Sequence, residues 1–166
     1  MLKPGDPAPD FSLPADPSQP NPDAPATLHA MLTQGPVIVY FYPADFTPLC
    51  TAQACLFRDV HEELAELGLQ TVGVSTQSDQ SHRKFRDKHS LPFTLVADTD
   101  KSIVNAWGVT GPFGLGTRRA TFLINTQAKI EDRAIGDLSL AKHKAFIQKL
   151  RERHARSQTT SRGENA

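Results

Sequence analysis

Tyr40-Phe41-Tyr42-Pro43-Ala44-Asp45-Phe46-Thr47-Pro48-Leu49-Cys50-Thr51-Ala52-Gln53-Ala54-Cys55 carries both cysteines of the chain within sixteen residues, and its reading decides the rest. The apolar run Val37 to Phe41 just before and into it does not alternate with polar residues, the pattern of a strand buried on both faces. Pro43 and Pro48 stop that strand and force a turn. A helix is predicted to open near Cys50. Its first turn would aim unpaired backbone N–H groups and the positive end of the helix dipole at the thiol, an environment that favours thiolate over thiol. An ordinary cysteine, with a pKa of about 8.5, is only a few per cent ionised at neutral pH, so this placement would make a ready nucleophile of a weak one.

Working outward, the 166 residues suit one domain large enough to bury a core without staples. Two cysteines are too few for a disulfide framework. Eighteen Lys and Arg balance eighteen Asp and Glu, so no basic excess is available to hold nucleic acid or an anionic membrane. The longest apolar stretch, Val37 to Tyr42, is far too short to span a bilayer, and the first residues lack an apolar run of signal-peptide length. A cytoplasmic location is the expectation. In that reducing compartment two spaced cysteines point to catalysis, redox sensing or metal binding rather than a permanent staple.

Residues 1 to 26 hold eight of the thirteen prolines, which excludes regular helix and suits an extended segment over the surface, with a short edge strand at Phe11 and Leu13. Leu28 to Leu32 reads as one helical turn before Gly35-Pro36. Cys50 to Leu67 places Leu56, Val60, Leu64 and Leu67 at helical spacing and ends at Gly68. A strand over Leu69 to Val74, an exposed helix over Asp79 to His89 with Phe85 inward, and a strand over Phe93 to Ala97 follow. Asp98 to Trp107 is predicted as a short helix and Gly108 to Thr117 as a loop. Strands Ala120 to Ile124 and Lys129 to Ala134 form a hairpin across Asn125-Thr126-Gln127-Ala128. A last helix runs from Leu138 to His154, with Leu140, Phe146, Ile147 and Leu150 at helical spacing, and residues 155–166 are expected to be a polar, disordered tail.

Strands alternating with crossover helices, then a hairpin, make an α/β protein with a central mixed β-sheet flanked by helices on both faces. A helix opening with a cysteine straight after a central strand is the layout of a thioredoxin-like fold. A single domain over residues 1–154 accounts for all of it, with no internal repeat.

Pro43, Thr47 and Cys50 stand at the spacing P-x-x-x-T-x-x-C. If the Cys50 thiolate attacks a peroxide, the Thr47 hydroxyl can hydrogen-bond the sulfur or a peroxide oxygen, Pro43 can screen the pocket from water, and helix N–H groups can hold charge developing on the leaving oxygen. The bland alternative is Thr47 near a helix N-cap and an inert, buried Cys50. Cys55 offers a partner for a sulfenic acid at Cys50, the two condensing to a disulfide. A zinc site lacks ligands, since C-x4-C stands without a second cysteine pair and His61, His82 and His89 read as exposed helix residues. Arg118 and Arg119 precede the fourth strand. A guanidinium reaching Cys50 would favour its charged form and orient peroxide oxygen, whereas either arginine alone could equally be a solvated surface charge.

Tyr40 to Pro43 through Cys55-Leu56-Phe57-Arg58-Asp59, together with Arg119-Ala120-Thr121-Phe122-Leu123-Ile124, closely resembles the peroxiredoxins, and within them the bacterioferritin comigratory protein subgroup, also called the Q type. The resemblance covers about residues 3 to 152. It implies Cys50 as the peroxidatic cysteine, Cys55 as the resolving cysteine, Thr47 and Pro43 as pocket residues, Arg119 as the catalytic arginine and Arg58 as its support from the first long helix. It further implies a monomeric antioxidant peroxidase acting on hydrogen peroxide and organic hydroperoxides, without metal or organic cofactor, recycled by thioredoxin or glutaredoxin through an intramolecular disulfide. Leu49 stands where relatives usually have glycine, the Gly108 to Thr117 loop is short, and the proline-rich start is unusual. Gly114-Leu115-Gly116 superficially matches a motif of easily overoxidised peroxiredoxins but lies outside that motif's loop. Two rival readings are a thioredoxin-like disulfide reductase, disfavoured because C-x4-C replaces C-x-x-C, and a redox-sensing interaction protein.

Overall fold

The computed structural model describes residues 1–16 and 20–163, so Pro17 and residues 164–166 of the expected tail lie outside the described residues. Five strands form one sheet: β1 (Val37–Phe41), β2 (Gln70–Ser75), β3 (Thr94–Ala97), β4 (Ala120–Ile124) and β5 (Ile130–Ile135). Their spatial order is β3-β2-β1-β4-β5. The β1–β2 and β2–β3 pairs are parallel, whereas β4 runs antiparallel to both β1 and β5, giving the expected mixed sheet with β1 at its centre. All five residues of β1 and all five of β4 are buried, as their unbroken apolar runs require.

Helices α2 (Pro48–Glu66), α3 (Asp79–His89) and α5 (Ala141–Gly163) cover one face. There Phe57 and Leu64 of α2, Phe85 of α3 and Phe146, Ile147 and Leu150 of α5 pack on Ile38, Tyr40 and Leu123. The Tyr40 ring is stacked against Phe57 at 4.5 Å between centroids. Fully burying each such side chain contributes roughly 1.5–3 kcal/mol. The other face holds α1 (Leu28–Leu32), α4 (Ser102–Ala106) and Phe11 of the N-terminal segment, gathered around Trp107 and the inward side chains of β1, β2 and β4. Both crossover helices of the parallel half thus share a face with α5, which is what brings the start of α2 beside the β4–β5 hairpin.

Several elements depart from expectation. In α2 the inward stripe is Cys50, Gln53, Ala54, Phe57 and Leu64, while Leu56, Val60 and Leu67 are only partly buried. Of the four apolar residues spaced as a stripe in the sequence only Leu64 is fully buried, because Gln53 and Ala54 on the inward face carry no hydrophobic signal. Helix α4 is shorter than Asp98 to Trp107. The Asp98 carboxylate accepts the backbone N–H of Ile103 at 3.1 Å and of Val104 at 2.7 Å, so Asp98 caps the helix from outside it. In place of an edge strand at Phe11 and Leu13 there is a single antiparallel bridge, Ser12 to Thr27. Helix α5 continues through Gly163, past His154 where a disordered tail was expected. No proline or glycine interrupts residues 137 to 162, and the hydroxyls of Ser157, Thr159 and Thr160 donate to carbonyls one turn back. Among the described residues no helix is long and apolar enough to cross a membrane.

Candidate active site

The turn between β1 and α2 is built around a buried acid. Asp45, 6 % exposed, accepts hydrogen bonds from the Tyr42 hydroxyl at 2.7 Å, the Ser81 hydroxyl at 2.6 Å and Nδ1 of His82 at 2.8 Å. Burial alone would raise the Asp45 pKa, but the bonds from His82, Ser81 and Tyr42 outweigh it and hold the carboxyl below the usual carboxylate range. His82 is therefore not the exposed helix residue its neighbours suggested: it is 3 % exposed, and its other nitrogen meets the Val96 carbonyl at 3.2 Å. With Asp45 pinned to the start of α3, Phe46 takes a left-handed φ of 63° and lies against Phe85. That bend delivers Thr47 to the N-cap of α2.

Thr47 does not cap the helix with its side chain; its hydroxyl donates to the Ala44 carbonyl at 3.1 Å. Its proton is thereby committed, and its oxygen is presented as an acceptor. Thr47 is exposed and Pro43 half-buried at the mouth of the turn. Cys50, three residues into α2, is 1 % exposed and is a free thiol, as is the half-buried Cys55.

The two adjacent arginines separate cleanly. Arg119, 3 % exposed, donates from Nη2 to the Cys50 sulfur at 3.3 Å and from Nη1 to Oε1 of Gln53 at 2.6 Å. Its Nε donates to the backbone carbonyl of Asp137 at 3.4 Å. The guanidinium partners at Gln53 and Asp137 are both neutral oxygens, so none of its described hydrogen bonds pairs it with a carboxylate. Arg118 turns outward and pairs with the Asp137 carboxylate at 2.7 Å, with side chains 39 % and 42 % exposed. Such an exposed pair contributes no more than about 1 kcal/mol. Arg58 does not reach the sulfur in any described bond; it donates to the His89 carbonyl at 2.9 Å and to Asp59, bracing α2 against α3.

Three members of this arrangement were not singled out from the sequence. Gln53 is fully buried, and its Nε2 has no hydrogen-bond partner. Its signal was a polar residue one turn after Cys50 on the same helix face. Asp137 lies in the turn between β5 and α5 and His143 in the first turn of α5, and only the tertiary fold brings them to Arg119. Among the described residues no cluster of three or more His, Cys, Asp or Glu is arranged to hold a metal.

A central strand, a sharp turn, a cysteine at the start of the next helix and an arginine from the antiparallel half of the sheet define a thioredoxin-like protein with a thiol site. The chain belongs to the AhpC/TSA family, whose profile matches residues 4–133. It is 43 % identical over 100 residues to peroxiredoxin Bcp of Bacillus subtilis (strain 168), covering 57 % of this chain and 64 % of that protein. It is 43 % identical over 97 residues to the chloroplastic peroxiredoxin Q of Sedum lineare, covering 58 % of this chain and 52 % of that one. The matched parts thus span between half and two thirds of these relatives. Among solved structures, peroxidoxin BcpB of Mycobacterium tuberculosis superposes with a TM-score of 0.78 at 32 % identity, over 92 % of this chain and 97 % of that one. Xanthomonas campestris peroxiredoxin Q gives 0.70 at 29 % identity, over 78 % and 85 %.

Proposed function

We propose that this chain is a thiol-dependent peroxidase that reduces hydrogen peroxide and organic hydroperoxides as part of antioxidant defence. The observation that carries the reading is the Arg119 guanidinium at 3.3 Å from the Cys50 sulfur at the start of α2. The Cys50 thiolate attacks one peroxide oxygen: an S–O bond forms, the O–O bond breaks, and the departing oxygen leaves as water or an alcohol after taking a proton. Arg119 and the first N–H groups of α2 stabilise the charge spread over sulfur and both oxygens, Thr47 accepts from the peroxide O–H, and Pro43 shields the turn from water. The Cys55 thiol then attacks the sulfenic sulfur, forming the S–S bond while the hydroxyl leaves as water. A dithiol protein, thioredoxin or glutaredoxin, reduces the disulfide by exchange and is itself oxidised.

The kinship with peroxiredoxins Bcp and Q supports this reading, as does a Xanthomonas campestris bacterioferritin comigratory protein described for its alkyl peroxide reduction activity. On the same kinship we infer a monomer that works without metal or organic cofactor. The test is NADPH oxidation in the presence of thioredoxin and thioredoxin reductase, with hydrogen peroxide and several organic hydroperoxides. Many equivalents of peroxide consumed per chain are expected. One equivalent and no more would favour a redox-sensing interaction protein, and reduction of protein disulfides without peroxide turnover would favour a disulfide reductase.

A further inference from the structure

His143, near the start of α5, has no place in the chemistry above, yet it is fully buried beside the turn that holds Arg119. Its Nε2 lies 3.2 Å from the carbonyl oxygen of Gly136, and its Nδ1 lies 2.8 Å from the Thr121 hydroxyl. A carbonyl can only accept, so Nε2 carries the proton and Nδ1 takes the hydroxyl proton of Thr121; both nitrogens of the neutral ring are used. Burial, and secondarily the charge of Arg119, lower the His143 pKa against the pull of the Gly136 carbonyl, which keeps the ring in this neutral state.

The two groups that the ring joins flank Arg119. Thr121, the second residue of β4, lies two positions beyond Arg119, which stands immediately before the strand. The Gly136 N–H donates to the Arg119 carbonyl at 3.1 Å, and the next residue, Asp137, accepts the Arg119 backbone N–H on its carboxylate at 3.0 Å and Nε on its carbonyl. Residues 136 and 137 thus hold Arg119 at three points, and His143 fixes that pair of residues to α5 and to β4. The packing leaves no slack: a Cβ at position 136 would stand 2.8 Å from the Ser139 carbonyl and 3.2 Å from the imidazole.

We propose that His143 is a positioning residue for the peroxidase reaction, setting the reach of the Arg119 guanidinium to the Cys50 sulfur through Gly136 and Asp137. This rests on the catalytic reading of Arg119. Replacing the ring by one of similar size without polar atoms, His143→Phe, strands the Gly136 carbonyl and the Thr121 hydroxyl in a dry site, and the turn must shift to relieve them. A displacement near 1 Å at a reacting centre costs on the order of a hundredfold in rate.

The experiment is a double-mutant cycle read as the second-order rate of Cys50 oxidation by hydrogen peroxide in single-turnover quench-flow, with thermal melts to establish that each variant folds. His143→Phe is expected to slow oxidation by about ten- to a hundredfold in the wild-type background and to add nothing once Arg119→Ala is present. His143→Gln, which offers an amide donor and acceptor, should recover most of the rate. Thr121→Val removes one of the two bonds and should give a smaller loss of the same kind; with His143→Gln it carries the test if His143→Phe does not fold. Equal fractional losses from His143→Phe with and without Arg119 would show general loosening and overturn the proposal, as would a full rate in folded His143→Phe or Thr121→Val. If Arg119→Ala itself reacts at the wild-type rate, the reading of Arg119 falls and this inference with it. If Arg119→Ala is slow while the His143 and Thr121 variants are not, this inference alone falls.

Discussion

Oxidation to a Cys50–Cys55 disulfide should unwind the first turns of α2. Both cysteines lie inside the helix Pro48–Glu66. Five residues rise about 7.5 Å and turn about 140° on a radius of about 2.3 Å, so the two Cα atoms stand roughly 8.6 Å apart. A disulfide needs about 7 Å or less, and usually 5.5–6 Å. No rotamer change closes that gap. Bringing the sulfurs together therefore breaks the bonds that the amides of residues 52–55 make one turn back, together with the Thr51 N–H to Thr47 carbonyl bond at 2.9 Å. It also draws Cys50 away from Arg119, dismantling the site. At about 1 kcal/mol for each of these five bonds, local protection falls by about 5 kcal/mol, or roughly five-thousandfold in exchange rate. Amide hydrogen exchange over residues 48–57, comparing the reduced protein with one whose disulfide is verified by mass spectrometry, measures this. Equal protection in the two forms would refute the reasoning.

Three other outcomes follow from the same geometry. Arg119→Ala should slow peroxide reduction by about a hundred- to a thousandfold, with Arg119→Lys recovering only part because it supplies charge without the planar fork; stopped-flow rates check this, and an unaffected rate would return the role to another group. Gly73→Ala places a Cβ 2.7 Å from a Leu95 methyl and 2.8 Å from the Tyr40 ring, which should cost about 1–3 kcal/mol and lower Tm by several degrees in calorimetry. The lowered pKa of His143 sets a pH dependence: below the ordinary value of about 6.5 the unfolded chain takes up a proton that the folded chain refuses, so stability falls as pH drops through that window and is unaffected above it. Urea midpoints between about pH 7.5 and 5 should fall less steeply in His143→Gln than in the wild type, and identical slopes would contradict the assignment.

The parts of this fold legible in the sequence are those with a local cause. Strands β1 and β4 and helix α3 fall at their expected residues because an apolar run or a capped, amphipathic stretch is bounded by turn formers. The meeting of Cys50 with an arginine was legible too, since Cys50 follows a central strand across two prolines and Arg119 stands just before the strand beside it. What escaped depends on contacts between distant residues. Part of the inward face of α2 escaped because Gln53, a buried residue, is polar. His82 passed for a surface histidine because its partner Asp45 is 37 residues away. The continuation of α5 past His154 escaped for a local reason instead: residues 155–163 carry no apolar stripe, and there the hydroxyls of Ser157, Thr159 and Thr160 donate to carbonyls one turn back.

The division of labour between the two cysteines is tested most directly by treating Cys50→Ser and Cys55→Ser with one equivalent of hydrogen peroxide in the presence of dimedone and weighing the peptides. Cys55→Ser should consume the peroxide in one fast turnover and carry the dimedone adduct on Cys50, while Cys50→Ser should neither react quickly nor be labelled. An adduct on Cys55, or equal loss of the single turnover in both variants, would contradict the account.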